Sequence, residues 1–120
     1  MAVLTLGPIG NTAAKAILMA EKEGLSVAHY DMRFLKPLDE GLLHTIGKSF
    51  KQVITVEDGV RRGGFGSAIL EFFADHNYPV RVERIGIEDE FVEHGAPDEL
   101  YRILGMDAEG IYKAILNVGR

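Results

Sequence analysis

No cysteine occurs in the 120 residues, which excludes disulfides and thiolate chemistry and is compatible with a cytoplasmic setting. Long apolar runs are also missing. None approaches the roughly 18 residues of a membrane helix, and no basic-then-apolar leader opens the chain, so neither a span nor a secretory signal is expected. Positive charge is in short supply: the net charge is −5, which argues against a nucleic-acid partner held by phosphate neutralisation. The four histidines, His29, His44, His76 and His94, lie 15, 32 and 18 residues apart and form no local metal motif. There is no internal repeat and no low-complexity tract. What remains, 47% apolar and 26% charged residues, has the balance of one soluble globular domain spanning residues 1–120.

The stretch from Val53 to Phe73 organises the rest. Val53-Ile54-Thr55-Val56 is a β-branched apolar run and reads as a buried strand. Phe65, Ala68, Ile69, Phe72 and Phe73 recur at helical spacing and form one apolar face. Between them Glu57 to Gly64 reads as a charged loop ending in two glycines. Strand, glycine-rich turn and amphipathic helix in this order make half of a βαβ unit.

The flanking segments extend that pattern. Ala2 to Leu6 reads as a strand, and Gly7-Pro8-Ile9-Gly10-Asn11 as the turn after it. Asn11 or Thr12 is the expected cap of a helix that buries Ala13, Ala14, Ile17 and Leu18 and stops near Gly24. Leu25 to Met32 reads as a second strand, halted before Pro37, and Asp39 caps a helix carrying Leu42, Leu43 and Ile46. Val80 to Ile85 alternates apolar with charged residues, which suits an edge strand. The acidic Gly86–Gly95 loop follows, then a helix from Pro97 to Leu104, and Asp107 caps a last helix that turns Ile111, Ala114, Ile115 and Val118 inward. The order βαβαβαβαα predicts an α/β domain with a mostly parallel sheet covered on both faces.

The candidate sites cluster after the strands. Backbone N–H groups at the start of the Phe65 helix would attract an anion. However, Gly64-Phe65-Gly66-Ser67-Ala68-Ile69 places isoleucine where a dinucleotide fingerprint needs its third glycine, and no Gly-Lys-Ser/Thr occurs. Glu57 and Asp58 would also repel a phosphate there. The same two carboxylates invite an acid/base reading, but adjacent extended residues point to opposite sides. The plainer reading has one capping a turn and the other meeting Arg61, Arg62 or a partner. His94 beside Glu93 resembles an oriented histidine without a nucleophile, and Arg33 is either a ligand contact or the partner of Asp31. Gly64 is expected to have φ > 0 or to approach a neighbouring strand closely.

At these residues the sequence resembles a known family. Asp31-Met32-Arg33-Phe34-Leu35-Lys36-Pro37-Leu38-Asp39, Val56-Glu57-Asp58-Gly59 and Gly63-Gly64-Phe65-Gly66-Ser67 are similar to the C-terminal domain of the transketolase family. Gly86 to Gly95 and Leu104 to Ile111 narrow the resemblance to its 1-deoxy-D-xylulose-5-phosphate synthase branch, and the likeness covers nearly the whole chain. Glu88 departs from it, since the family more often has proline there.

The resemblance implies a cytoplasmic, homodimeric transferase that condenses pyruvate with glyceraldehyde 3-phosphate and releases carbon dioxide. Thiamine diphosphate and magnesium would serve it, and its product would feed isoprenoid, thiamine and pyridoxal synthesis. It further implies that two preceding domains hold the cofactor, since neither a Gly-Asp-Gly motif nor a cofactor-activating segment is present. This chain would then be a non-catalytic third domain, without catalytic, cofactor or metal residues of its own. Related domains carry one more strand ahead, so the four read here should be parallel in the order 2-1-3-4. Glu57, Asp58, Arg61, Arg62, Gly63, Gly64, Arg33 and His94 are the expected contacts to those domains or to the second subunit. The C-terminal domain of a 2-oxo-acid dehydrogenase β subunit and a stand-alone small-anion-binding module are the competing readings.

Overall fold

The computed structural model describes residues 1–7, 9–32, 39–60, 64–87 and 106–119. Arg33, Arg61, Arg62, Gly63, His94, the Glu88–Glu90 run and the helix expected after Pro97 lie outside them. Four strands, β1 (Ala2–Leu6), β2 (Ala28–Asp31), β3 (Gln52–Val60) and β4 (Arg81–Ile87), form one parallel sheet in the order β2-β1-β3-β4. The helices described are α1 (Ile9–Lys22), α2 (Glu40–Ser49), α3 (Phe65–Asp75) and α4 (Ala108–Val118). Strand order and layering are those expected.

Central strands of such a sheet are covered on both faces, which is why β1 and the start of β3 are continuously apolar. Val3, Ile54 and Val56 meet α1 and α4 on one face, and Ala2, Leu4 and Val53 meet α2 and α3 on the other. Phe65 and Phe73 are fully buried or nearly so on that second face, each contributing about 2–3 kcal/mol of apolar burial. β4 is the expected edge strand: Arg81, Glu83 and Arg84 are exposed, whereas Val82 and Ile85 are half-buried.

Two helix caps are as expected. Asp39 accepts from Leu42 N–H at 3.0 Å, and Asp107 accepts from Gly110 N–H at 2.8 Å. Gly24, at φ 87°, takes the left-handed conformation after α1. The start and face of α1 differ from expectation. The helix begins at Ile9, so Asn11 and Thr12 lie inside its first turn rather than capping it. Its buried side is Ile9, Ala13, Ala16, Ile17 and Ala20, while Ala14 is exposed and Leu18 is 60% exposed. Three alanines on one stripe let α1 lie close to both the sheet and α4, and that close approach outweighs the bulk of Leu18.

Three strands are bounded differently from expectation, β4 running Arg81–Ile87 rather than Val80–Ile85, so that Gly86 and Ile87 belong to the sheet and not to the loop after it. β2 begins at Ala28 rather than Leu25. β3 continues past Val56 to Val60, so Glu57 belongs to the sheet and not to a loop, pairing with Leu6 on one side and Gly86 on the other.

At the other end of the sheet α2 and α3 meet through rings. His44 Nδ1 and Tyr78 OH share a 2.6 Å hydrogen bond, and the His44 ring contacts Phe72 and His76. Gly47 lies against the Tyr78 ring, where a Cβ would come within 2.6 Å of Cδ2.

Candidate functional site at the carboxyl ends of the strands

β1 leads through α1 to a strand on one side, and β3 leads through α3 to a strand on the other. The carboxyl ends of β1 and β3 therefore flank the crossing point, where open α/β sheets take ligands. Alternation along β3 places Glu57 on the same face as Val53 and Thr55, toward α3. There its carboxylate meets the first turn of the helix: Phe65 N–H donates to Oε2 at 3.0 Å, and Gly66 N–H donates to Oε1 at 3.1 Å.

Glu57 is only 6% exposed. Burial of a carboxylate is costly unless it is hydrogen-bonded, and here two charge-assisted bonds and the positive end of the α3 dipole offset that cost. Gly64, at the N-cap, supplies no side-chain bond, so Glu57 does the capping across the fold. The helix N-terminus that invites a phosphate is thus filled by the chain's own carboxylate. Both oxygens of Glu57 are engaged by backbone N–H groups. Of the two readings open for Glu57, the capping one holds, and the group it caps is a helix rather than a turn.

Of the two possibilities expected for Gly64, the positive φ is not the one found: its φ of −93° and ψ of −160° are extended. A close approach is seen two residues later, at Gly66. A Cβ there would lie 2.8 Å from Thr55 Oγ1 and 3.0 Å from Arg84 Cγ. Thr55 is buried beneath it, and Arg84 crosses over it to donate from Nη1 to Ser67 Oγ at 3.0 Å. The glycine lets α3 settle deep enough for Glu57 to reach its N–H groups.

A second polar pair lies on the opposite face. Thr5, fully buried on β1, places Oγ1 2.9 Å from Nε2 of His29 on β2. His29 is exposed at the edge of the sheet, with this inner nitrogen held. Burial of the ring lowers its pKa below 6.5, and the Asp31 carboxylate opposes part of that shift. Sequence reasoning singled out neither Thr5 nor the His29 contact. Among the described residues no group of three His, Cys, Asp or Glu could hold a metal ion, and no helix is long and apolar enough to cross a membrane.

The fold and this crossing point define a doubly wound parallel α/β domain with an internally filled helix N-terminus. Residues 1–111 match the model of the transketolase C-terminal domain, and the chain belongs to that family. It is 64% identical over 118 residues to the 1-deoxy-D-xylulose-5-phosphate synthase of Phocaeicola vulgatus, covering 98% of this chain and 19% of that protein. With the Bacteroides fragilis protein of the same name it shares 59% identity over 116 residues, 96% of this chain and 18% of that one. The chain therefore spans about a fifth of the length of these relatives. A solved structure described as a split gene transketolase, inactive beta4 tetramer, superposes with a TM-score of 0.87 at 32% identity, covering 98% of this chain and 38% of that one. These similarities agree with the family resemblance read from the residues.

Two outcomes follow from the site. Glu57→Gln keeps the shape but removes the charge and turns an NH2 toward a backbone N–H. It should lower stability by about 2–3 kcal/mol, and Gly66→Ala by about 1–3 kcal/mol through overpacking. Urea denaturation midpoints measure both, and unchanged midpoints would refute the clamp.

For His29, the lowered pKa means that the folded chain takes up its proton later than the unfolded chain as pH falls. Its contribution to stability is therefore complete above about pH 7 and declines as pH drops through roughly 6.5 toward the lowered value. His29→Gln should flatten that part of the stability profile, read as the difference between variant and wild-type midpoints from pH 8 to 5.

Proposed function

We propose that this chain is the C-terminal assembly domain of a thiamine diphosphate-dependent 1-deoxy-D-xylulose-5-phosphate synthase. In that enzyme pyruvate and glyceraldehyde 3-phosphate condense to 1-deoxy-D-xylulose 5-phosphate and carbon dioxide, for isoprenoid and thiamine precursor synthesis. The observation carrying this reading is the 64% identity over 98% of the chain to a protein of that name. The same similarity favours the synthase over a 2-oxo-acid dehydrogenase β subunit. The filled α3 N-terminus weighs against a stand-alone anion-binding module.

Thiamine diphosphate and Mg2+ belong, in this reading, to the two preceding domains. The cofactor's diphosphate needs converging donors, and the two N–H groups at the start of α3 already hold Glu57. The start of α3 therefore does not fit the diphosphate. The domain acts instead through contact, with the preceding domains and with the second subunit of a cytoplasmic homodimer. Glu57, Asp58, Arg61, Arg62, Gly63, Gly64, Arg33 and His94 remain the proposed contact set. Glu57 enters that set from behind, through the helix it caps. Arginine's planar fork suits Arg61 and Arg62 to carboxylates on a facing protein surface.

Calorimetric titration of this chain with thiamine diphosphate and magnesium should give no binding heat, and micromolar affinity would overturn the assignment of the cofactor to other domains. In the complete polypeptide, which should turn over pyruvate with glyceraldehyde 3-phosphate, Arg61→Ala with Arg62→Ala should weaken assembly and leave pyruvate affinity little changed. An intact assembly with reduced affinity for glyceraldehyde 3-phosphate would instead make the segment a substrate element.

A further inference from the structure

His44 and His76 lie 32 residues apart in sequence, yet the packing of α2 against α3 brings their rings to 4.6 Å between centroids, with the planes 74° apart. Phe72 packs against both, 5.0 Å from His44 and 4.3 Å from His76, and so holds the two imidazoles as a pair. His44 is half-buried on α2, and its Nδ1 is engaged by Tyr78 OH at 2.6 Å. His76 is exposed at the C-cap of α3, where the negative end of the helix dipole favours a cation. Among the described residues, neither Nε2 of His44 nor a ring nitrogen of His76 has a hydrogen-bond partner.

We propose that His44 and His76 form a binding site for a borderline divalent cation of the Zn2+ class, bridging α2 to the end of α3. Zn–N bonds of about 2.0–2.1 Å place the ring centres of two imidazoles on one tetrahedral cation roughly 5 Å apart, close to the separation found. With the cation on Nε2 of His44, Nδ1 keeps its proton and donates to the Tyr78 oxygen. Such an outer hydrogen bond is what fixes ring orientation in histidine metal sites. No third His, Asp or Glu joins the pair among the described residues, so water would complete the coordination. The charges next to the pair in sequence, Lys48 one turn on from His44 and Asp75 beside His76, are both exposed and of opposite sign. Imidazole nitrogen selects Zn2+, Ni2+ or Cu2+ over Mg2+, which prefers oxygen ligands.

Equilibrium dialysis of the complete polypeptide against submillimolar Zn2+, with bound metal counted per chain, tests the site. The wild type should hold one Zn2+ more than His76→Ala, which removes an exposed ligand at little cost to folding. Should His76→Ala not fold, His76→Asn, which keeps a polar residue at the helix end, takes its place. Tyr78→Phe should keep the stoichiometry and weaken that one site by about 10–100-fold, since it removes the acceptor for Nδ1. Excess Mg2+ should not displace the zinc. Equal zinc in the wild type and His76→Ala would overturn the proposal and leave the two rings as edge-to-face packing only. Displacement by Mg2+ or an unchanged affinity in Tyr78→Phe would also overturn it, the first because it calls for oxygen ligands, the second because it calls for a site without His44 Nε2.

Discussion

A carboxylate buried between a strand and a helix would be among the most expensive groups in a domain of this size if it stood alone. Glu57 is tolerated because the first turn of α3 presents two N–H groups that have no partner within the helix, and because the helix dipole favours negative charge there. Each side solves the other's problem. Remove the carboxylate and two buried donors are orphaned; displace the helix and a buried charge is left bare. The depth of α3 on the sheet, the absence of a side chain at Gly66 and the seating of Thr55 beneath it all depend on this fit.

That fit bears on function. In doubly wound domains the crossing point is where phosphate groups meet a helix N-terminus. Here the strands cross in the same manner, yet the donors at α3 are spent on an internal anion. A domain arranged in this way holds its own frame where others hold a ligand. The proposed division of labour, with cofactor chemistry in other domains and assembly in this one, is consistent with that use of the site.

Much of the frame was legible in the residues. Apolar continuity identified β1 and the buried part of β3, alternation identified β4 as an edge, and Asp39 and Asp107 announced the helices they cap. The sheet order came from the family resemblance, not from periodicity. Three features were not legible. α1 buries a stripe of alanines, which carry little hydrophobic signal, so although Ala13 and Ile17 are buried as expected, the bulkier Leu18 drew the expected face to one side. β3 runs on through Glu57, Asp58 and Gly59, residues of poor strand propensity, to Val60; the pairing of Glu57 with Leu6 and Gly86 and of Val60 with Ile87 overrides that propensity. The role of Glu57 requires knowing which helix end lies above it. One signal was present: α3 starts Gly64-Phe65-Gly66, with no capping side chain, so its N–H groups had to find an acceptor elsewhere.

The contrast among the helix starts explains why the cap is placed at such a distance in sequence. Asp39 and Asp107 bond N–H groups three residues ahead, so those caps can form as soon as their own turns form. Glu57 reaches eight and nine residues ahead and can bond only when β3 is already paired and α3 already docked. A local cap stabilises a helix; a non-local cap stabilises the relation between a helix and a sheet. The first turn of α3 consequently cannot fray without exposing a buried charge, which couples it to the sheet in one cooperative unit. The junction of β3 and α3 is thereby held by a contact that neither element could make alone.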